Sequence, residues 1–298
     1  AASSATDVPA RNLAQTLRCA GLFAMQQGDY DEAERHLVRG LETEREEGDR
    51  ARIAAAVGSL AQLELRRGRF DEATAHFEEH LAFSRELGND ANVAMTLAML
   101  GNVAQLQGDL ERARPRFEES LELSERLGNR YLTAGTLHNL ADIVVKVDAD
   151  GARARKLWQR ALELNRELGN RPWEARNLMS LGMAAKSDGD VVAARRDYAA
   201  ALTIHRALGD KEGLRDAVLF FGLLAADLGQ HKRALRLIAA ARTFEGSTGL
   251  SIGTGPSSRV DDALADVRAT LDPEVFREAH ASGAALSIEE AVDYALDE

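Results

Sequence analysis

Cysteine, aromatic residues, long apolar runs and excess basic charge are all scarce in this chain, and each scarcity excludes something. Cys19 is the one cysteine among 298 residues. No intrachain disulfide can form, and a reducing compartment such as the cytoplasm is the simplest reading. Aromatics make up 5% of the sequence, so alanine and leucine must do the packing, as close helix–helix contact favours. The longest apolar run, residues 217–226, falls well short of the roughly 18 residues a membrane span needs, and reads as a helix buried on most sides. Acidic residues outnumber basic ones, 48 to 37, for a net charge of −11. Direct nucleic-acid binding, which needs a clustered basic face, is not expected. Residues 1–9 have neither the basic nor the apolar region of a signal peptide. The missing initiator methionine suggests a fragment of a longer chain.

Catalytic signatures are equally sparse. Residues 246–255 are glycine-rich, but no Gly-Lys-Ser/Thr follows and no Walker motif occurs elsewhere, so no cofactor is expected. No nucleophile–base set can be assembled. His76-Phe77-Glu78-Glu79-His80 fits a metallopeptidase spacing, with both histidines on one helical face. The same segment one repeat later is Arg116-Phe117-Glu118-Glu119-Ser120, without ligands, so no metal site is expected. The run Arg153, Arg155, Lys156, Arg160 reads as a solvated helix face.

What the chain has in abundance is self-similarity. Residues 101–128 hold two amphipathic runs separated by Gly108-Asp109 and closed by Leu127-Gly128, which predicts a helical hairpin. Glycines 28, 68, 108, 189 and 229 recur between the two helices of a hairpin, and glycines 48, 88, 128, 169, 209 and 249 at its end. The spacing is 40 residues, or 41 across the fourth repeat, where Asp148-Ala149-Asp150-Gly151 carries one extra. Glycine just past a helix takes the left-handed cap conformation without a Cβ penalty, and a following Asp or Asn can cap the next helix. Six hairpins are predicted, over residues 10–48, 50–88, 90–128, 130–169, 171–209 and 211–249. Pro172 sits at a helix start, where its missing N–H costs nothing. Pro115 falls inside a second helix and should start or kink it locally.

Packing positions repeat too. First helices carry a Leu-small pair (Leu60-Ala61, Leu100-Gly101, Leu140-Ala141, Leu181-Gly182) or its equivalent Phe221-Gly222. Second helices carry an alanine followed four residues later by a large side chain: Leu37, Phe77, Phe117, Trp158, Tyr198, Ile238. This pattern resembles the tetratricopeptide repeat (TPR), with longer helices and turns than its usual period of about 34 residues. The resemblance implies an all-α, TPR-type α-solenoid, a right-handed superhelix of about six hairpins over residues 1–249. Residues 250–298 would form a helical C-terminal cap. In that tail, residues 251–258 read as a loop, and helices are predicted at 259–271, from Pro273 and from Ser287, the last opened by a Ser287/Glu290 capping box.

In TPR proteins the first helices line a concave groove, and the residue after the Leu-small pair points into it. By that resemblance the groove comprises Arg18, Gln62, Arg66, Asn102, Gln105, His138, Asp142, Lys146, Met179, Met183 and Lys186, with Leu22, Met25 and Leu223 on the same line. Amides, cations and methionines suit a peptide or an extended polar ligand. The 40-residue unit and the tail Phe276-Arg-Glu-Ala…Gly283…Leu286-Ser-x-Glu-Glu-Ala-Val further resemble the TPR sensor regions of bacterial STAND-type regulators, the MalT, AfsR and LuxR-like regulatory ATPases. That resemblance implies a non-catalytic sensor arm that binds a protein, peptide or small inducer in its groove. It also implies an intramolecular nucleotide-binding module elsewhere in the full-length protein. A free-standing scaffold of the LGN type for protein–protein interaction is the alternative reading.

Overall fold

A computed structural model describes residues 10–248 and 257–297. Among these residues every element is helical. Helical hairpins follow one another: α1 (Ala10–Gln26) with α2 (Tyr30–Glu47), α3 (Arg50–Arg66) with α4 (Phe70–Glu86), and α5 (Asp90–Leu106) with α6 (Leu110–Arg126). Then come the single helices α7 (Arg130–Ile143) and α8 (Gly151–Glu167), followed by the hairpins α9 (Arg171–Ser187) with α10 (Val191–Leu208) and α11 (Lys211–Asp227) with α12 (His231–Thr248). The tail forms α13 (Ser257–Thr270), α14 (Pro273–Ala284) and α15 (Ile288–Leu296). The hairpin limits are those the glycine spacing predicts. Helix α12 runs to Thr248 and includes Gly246; the rest of the glycine-rich stretch, including Gly249, and most of the loop expected at 251–258 lie outside the described residues.

The punctuation works as the residue types dictate. Ten glycines between and after the helices have φ between +64° and +82°. Asp29, Asn89, Asp109, Asn129, Asp190 and Asp210 each accept a hydrogen bond from the backbone N–H three residues on, and Ser287 and Glu290 complete the capping box of α15. Pro115 neither starts nor breaks α6, which is continuous from Leu110. Pro115 and Glu111, whose carbonyl loses its i+4 donor, are both exposed, so water can serve that carbonyl.

The chain divides into two compact units, residues 1–150 and 151–298, and the division falls at the irregular stretch of sequence between α7 and α8. There the helix changes to a π-helical turn, Val144–Asp148, before Ala149 takes φ 53°. The extra residue is absorbed by that wider turn. Ala149 is the one non-glycine with positive φ among the described residues.

In unit 1 each later first helix lies on the second helix before it. Ile53, Leu60 and Leu63 are buried with Leu37 and Leu41, and Val93, Leu100 and Val103 with Phe77 and Leu81. Within hairpins, a large side chain covers a residue with little or none: a Cβ on Gly101 would stand 2.7 Å from the Phe117 ring, and one on Gly182 2.5 Å from Tyr198. A polar residue near the end of each of α2, α4, α6, α8 and α10 is buried, as Glu44, Ser84, Ser124, Asn165 and His205. Several of these reach the start of the next helix: Ser124 accepts from Thr133 at 3.1 Å, and His205 Nδ1 lies 2.8 Å from Asp210. In unit 2 the tail helices pack on α11 and α12. Val267 and Ala279 join the core of Ala225, Ala234 and Leu235. Gly283 lets α14 approach α12, since a Cβ there would stand 2.3 Å from the Arg236 carbonyl oxygen. Arg233 donates to the Tyr294 and Ala295 carbonyls at the end of α15 (2.9 and 3.0 Å).

Two outcomes follow from this packing. Phe77→Ala or Trp158→Ala should lower the unfolding free energy by about 3–5 kcal/mol in urea melts, because each is a large buried side chain whose removal leaves unfilled space; a loss below about 1 kcal/mol would contradict the assigned packing. Ala149→Gly should raise stability by about 0.5–1 kcal/mol by relieving the left-handed alanine, and a neutral or destabilising result would refute that.

Candidate functional site

Unit 1 carries a groove of about 590 Å³ formed by the first helices α1, α3 and α5, with Phe77 and His80 of α4 also lining it. Its walls bring together three of the predicted residues, Arg18, Gln62 and Arg66, with Leu22 from the same line. Asn92, Met95, Thr96 and Met99 also line it. These four were not anticipated, although they continue the face of Asn102 backward along α5 at helical spacing. The groove therefore mixes cations, amides and two flexible thioethers.

Its arginines are unusual for this chain. Many other arginines of unit 1 are matched to carboxylates across hairpins: Arg45 with Glu79 at 2.9 Å, Arg50 with Glu86 at 2.8 Å, Arg85 with Glu119 at 2.7 Å, and Arg67 with Asp31 and Glu34. Arg18 and Arg66 have no ion partner or hydrogen bond among the described residues. The chain leaves two cations unmatched within one groove of a protein with net charge −11.

The remaining predicted residues have other surroundings. Asn102 is half-buried and accepts a hydrogen bond from Asn139 Nδ2 at 2.8 Å. Gln105 is half-buried on α5. His138 is only 3% exposed, with Nε2 3.7 Å from the Asp142 carboxylate, which is itself partly open. Lys146 is exposed in the π-helical turn, off the α-helical register. In unit 2, Met179 is buried. Met183 and Lys186 line a separate cavity of about 220 Å³ closed by α13, whose Arg259, Asp262 and Asp266 face it. Lys186 is paired there with Asp227 at 2.5 Å.

His80, half of the metallopeptidase-like spacing, belongs to the groove instead. Its Nδ1 lies 2.7 Å from the Thr96 hydroxyl, and that hydroxyl donates to the Asn92 carbonyl at 2.7 Å. The hydroxyl's one proton is thus used, so it accepts from His80, which assigns the ring proton to Nδ1. The ring packs on Gly58, where a Cβ would stand 3.1 Å from it. No group of three or more His, Cys, Asp or Glu able to hold a metal ion exists among the described residues, and no helix there is long and apolar enough to cross a membrane.

The geometry agrees with known proteins. Residues 12–86 and 92–148 match the sequence profile of the tetratricopeptide repeat. A search among curated proteins gives no match. Aspartyl phosphate phosphatase F from Bacillus subtilis superposes with a TM-score of 0.70 at 13% identity, over 96% of this chain and 69% of that one. A signal transduction ATPase with numerous domains (STAND) carrying a tetratricopeptide repeat sensor, from Pyrococcus horikoshii, gives 0.64 at 14% identity over 92% of this chain. The chain spans 38% of that protein. BtubC from P. vanneervenii gives 0.57 at 21% identity, over 68% of this chain and 94% of that one. These likenesses are of fold. The chain carries tetratricopeptide repeats, a protein-interaction module, in a TPR fold.

The buried ring makes a pH prediction. Burial pushes His80 below its ordinary value of 6.5, so the unfolded chain takes up this proton at higher pH than the folded one. The stability that the neutral ring supports is complete above 6.5 and is lost as pH falls through that value towards the folded one. His80→Ser, which installs the residue the next repeat has at Ser120, should make stability less sensitive to acid between pH 7.5 and 5.5 in urea melts. Equal losses in parent and variant would show that the ring is not coupled to folding.

Proposed function

We propose that this array acts by binding rather than catalysis, and that the groove on α1, α3 and α5 receives an extended acidic peptide segment or small acidic inducer. The observation that carries this reading is the pair Arg18 and Arg66, unmatched in a unit whose other arginines largely meet carboxylates. An unpaired guanidinium gains most from a planar anion, which it can hold with two parallel N–H donors. Gln62 supplies amide hydrogen bonding to a backbone, while Met95 and Met99 offer adaptable apolar contact. Asn102, Gln105, Asp142 and Lys146 extend the line on α5, α7 and the turn that follows. A pre-ordered groove loses little conformational entropy on binding.

In this reading the chain is the sensor arm of a multidomain signalling ATPase or transcriptional regulator, in which ligand binding is relayed to a nucleotide-binding module. What supports it is the 40-residue unit with its characteristic tail, together with the fold shared with a STAND protein bearing a tetratricopeptide repeat sensor.

The test is a thermal-shift screen of acidic peptides and metabolites, followed by titration of Arg18→Ala/Arg66→Ala and of Asn102→Ala/Asp142→Ala. The arginine pair should weaken binding by tenfold or more, about 1.5–3 kcal/mol for hydrogen bonds to a charged group. The Asn102/Asp142 pair should weaken it by about 1–3 kcal/mol if the ligand extends along α5 and α7. The melting temperature of the free protein should stay unchanged with the arginine pair. Ligands that bind this double variant as tightly as the parent would exclude the groove.

A further inference from the structure

Tyr198 carries a group that its packing role does not use. Its ring covers Gly182 as the Phe117 ring covers Gly101, and for that a phenylalanine would serve equally well. The hydroxyl is extra. Tyr198 is 0% exposed, and its hydroxyl has no hydrogen-bond partner among the described residues. Buried polar groups are nearly always paired, so an unpaired one marks a place where a partner is wanting. Tyr198 lines the cavity of about 220 Å³ between α9, α10, α11 and α13. Two other residues of that lining, Asp227 and Arg259, stand close enough to its hydroxyl to act on its charge.

The walls of the cavity divide by chemistry. Met183, Phe220 and Leu223 make one side apolar, with the Phe220 ring stacked on Tyr198 at 5.7 Å. Lys186 and Asp227 satisfy each other at 2.5 Å. Arg259, Asp262 and Asp266 are spaced by three and four residues and so share one face of α13. Their side chains have no ion pair or hydrogen bond among the described residues. Asp261 of the same helix, which does not line the cavity, is matched with Arg242 at 2.5 Å. The cavity thus offers a free guanidinium, two free carboxylates and a buried hydroxyl beside an apolar wall. Only a molecule with an anion and a cation a short distance apart satisfies them all. Its size is limited too, since sites for drug-sized ligands measure roughly 300–1,000 Å³.

We propose that this cavity binds a free α-amino acid with an apolar side chain. Arg259 and the Tyr198 hydroxyl hold its carboxylate, Asp262 and Asp266 its ammonium, and Met183, Phe220 and Leu223 receive the side chain. The ligand touches both α13 and helices α9 to α11, and so ties the tail to the array. The site lies within unit 2, shares no residue with the groove on α1, α3 and α5, and stands independently of the function proposed for that groove.

The probes are L-leucine and L-methionine, titrated into the whole chain by calorimetry. Isoamylamine, which is leucine without its carboxylate, and 4-methylpentanoate, leucine without its ammonium, are the controls. The amino acids should bind with dissociation constants in the roughly micromolar to millimolar range, and both controls at least about tenfold more weakly. Arg259→Gln, and Asp262→Asn with Asp266→Asn, should each weaken leucine binding at least about tenfold, with unchanged melting temperature because these side chains are exposed. Tyr198→Phe should weaken it about fivefold, while the melting temperature of the free protein holds or rises, because an unpaired buried hydroxyl is removed without change of shape. A tyrosine that only packs would leave affinity unmoved. Arg18→Ala/Arg66→Ala should bind leucine as the parent does, which separates failure of this site from failure of the groove. No binding of either amino acid up to about 10 mM, or equal affinity in Tyr198→Phe or in the aspartate pair, would overturn the proposal. So would either control binding as tightly as leucine, since the cavity would then take a simple cation or anion.

Discussion

The contact on which the rest of the structure depends is that of one large side chain on one small residue, seen in four of the hairpins. Leu37 lies on Gly21, Phe117 on Gly101, Tyr198 on Gly182 and Ile238 on Gly222, so close that a Cβ on any of these glycines would stand 2.5 to 2.8 Å from its neighbour. The small residue sets how near the two helices come, and the large one fills what is left. Because the pair recurs at nearly constant spacing, each hairpin presents a similar ridge to the next. The array needs little aromatic mass for this, which accounts for a core built largely from alanine and leucine.

Electrostatics are layered on that frame. The arginine–carboxylate pairs between hairpins are mostly exposed, and individually such pairs contribute little to stability. Their value here is as a register against which exceptions stand out. Arg18 and Arg66 depart from it by having no ion partner among the described residues. Arg18 and Arg66 both line the groove. Surfaces on which a matched pattern stops are where binding energy is still unspent.

Repetition also exposes a deviation in the core. Ala14, Ala54, Ala94, Ala134 and Ala175 occupy one buried position of successive first helices, and in α11 that position is Arg215, 1% exposed. Its guanidinium is held by Asp216, with Nε at 3.0 Å and Nη2 at 2.7 Å. A buried cation can be kept only with such a partner. Nothing in the structure explains why the sixth repeat has it.

By itself the sequence determined the elements, their limits and their order, because those depend on local chemistry. Glycine accepts a positive φ, Asp and Asn cap the helix that follows, and apolar residues spaced by three and four assign one face of each helix to the core. Helical spacing also puts Gln62 and Arg66 on one face of α3, while their alignment with Arg18 of α1 was an expectation from the resemblance to tetratricopeptide repeats. Only the tertiary structure decided which members of the line remain open. His138 and Met179 occupy the same nominal face yet are buried, and Lys186 is engaged by Asp227 beside α13. Periodicity says which way a side chain leaves its own helix; what a neighbouring helix covers, and which charges meet across it, depends on residues far away in the chain. The extra residue between α7 and α8 shows the same limit. One inserted position is visible in the spacing, but only the folded chain shows it as a π-helical turn closed by a left-handed alanine.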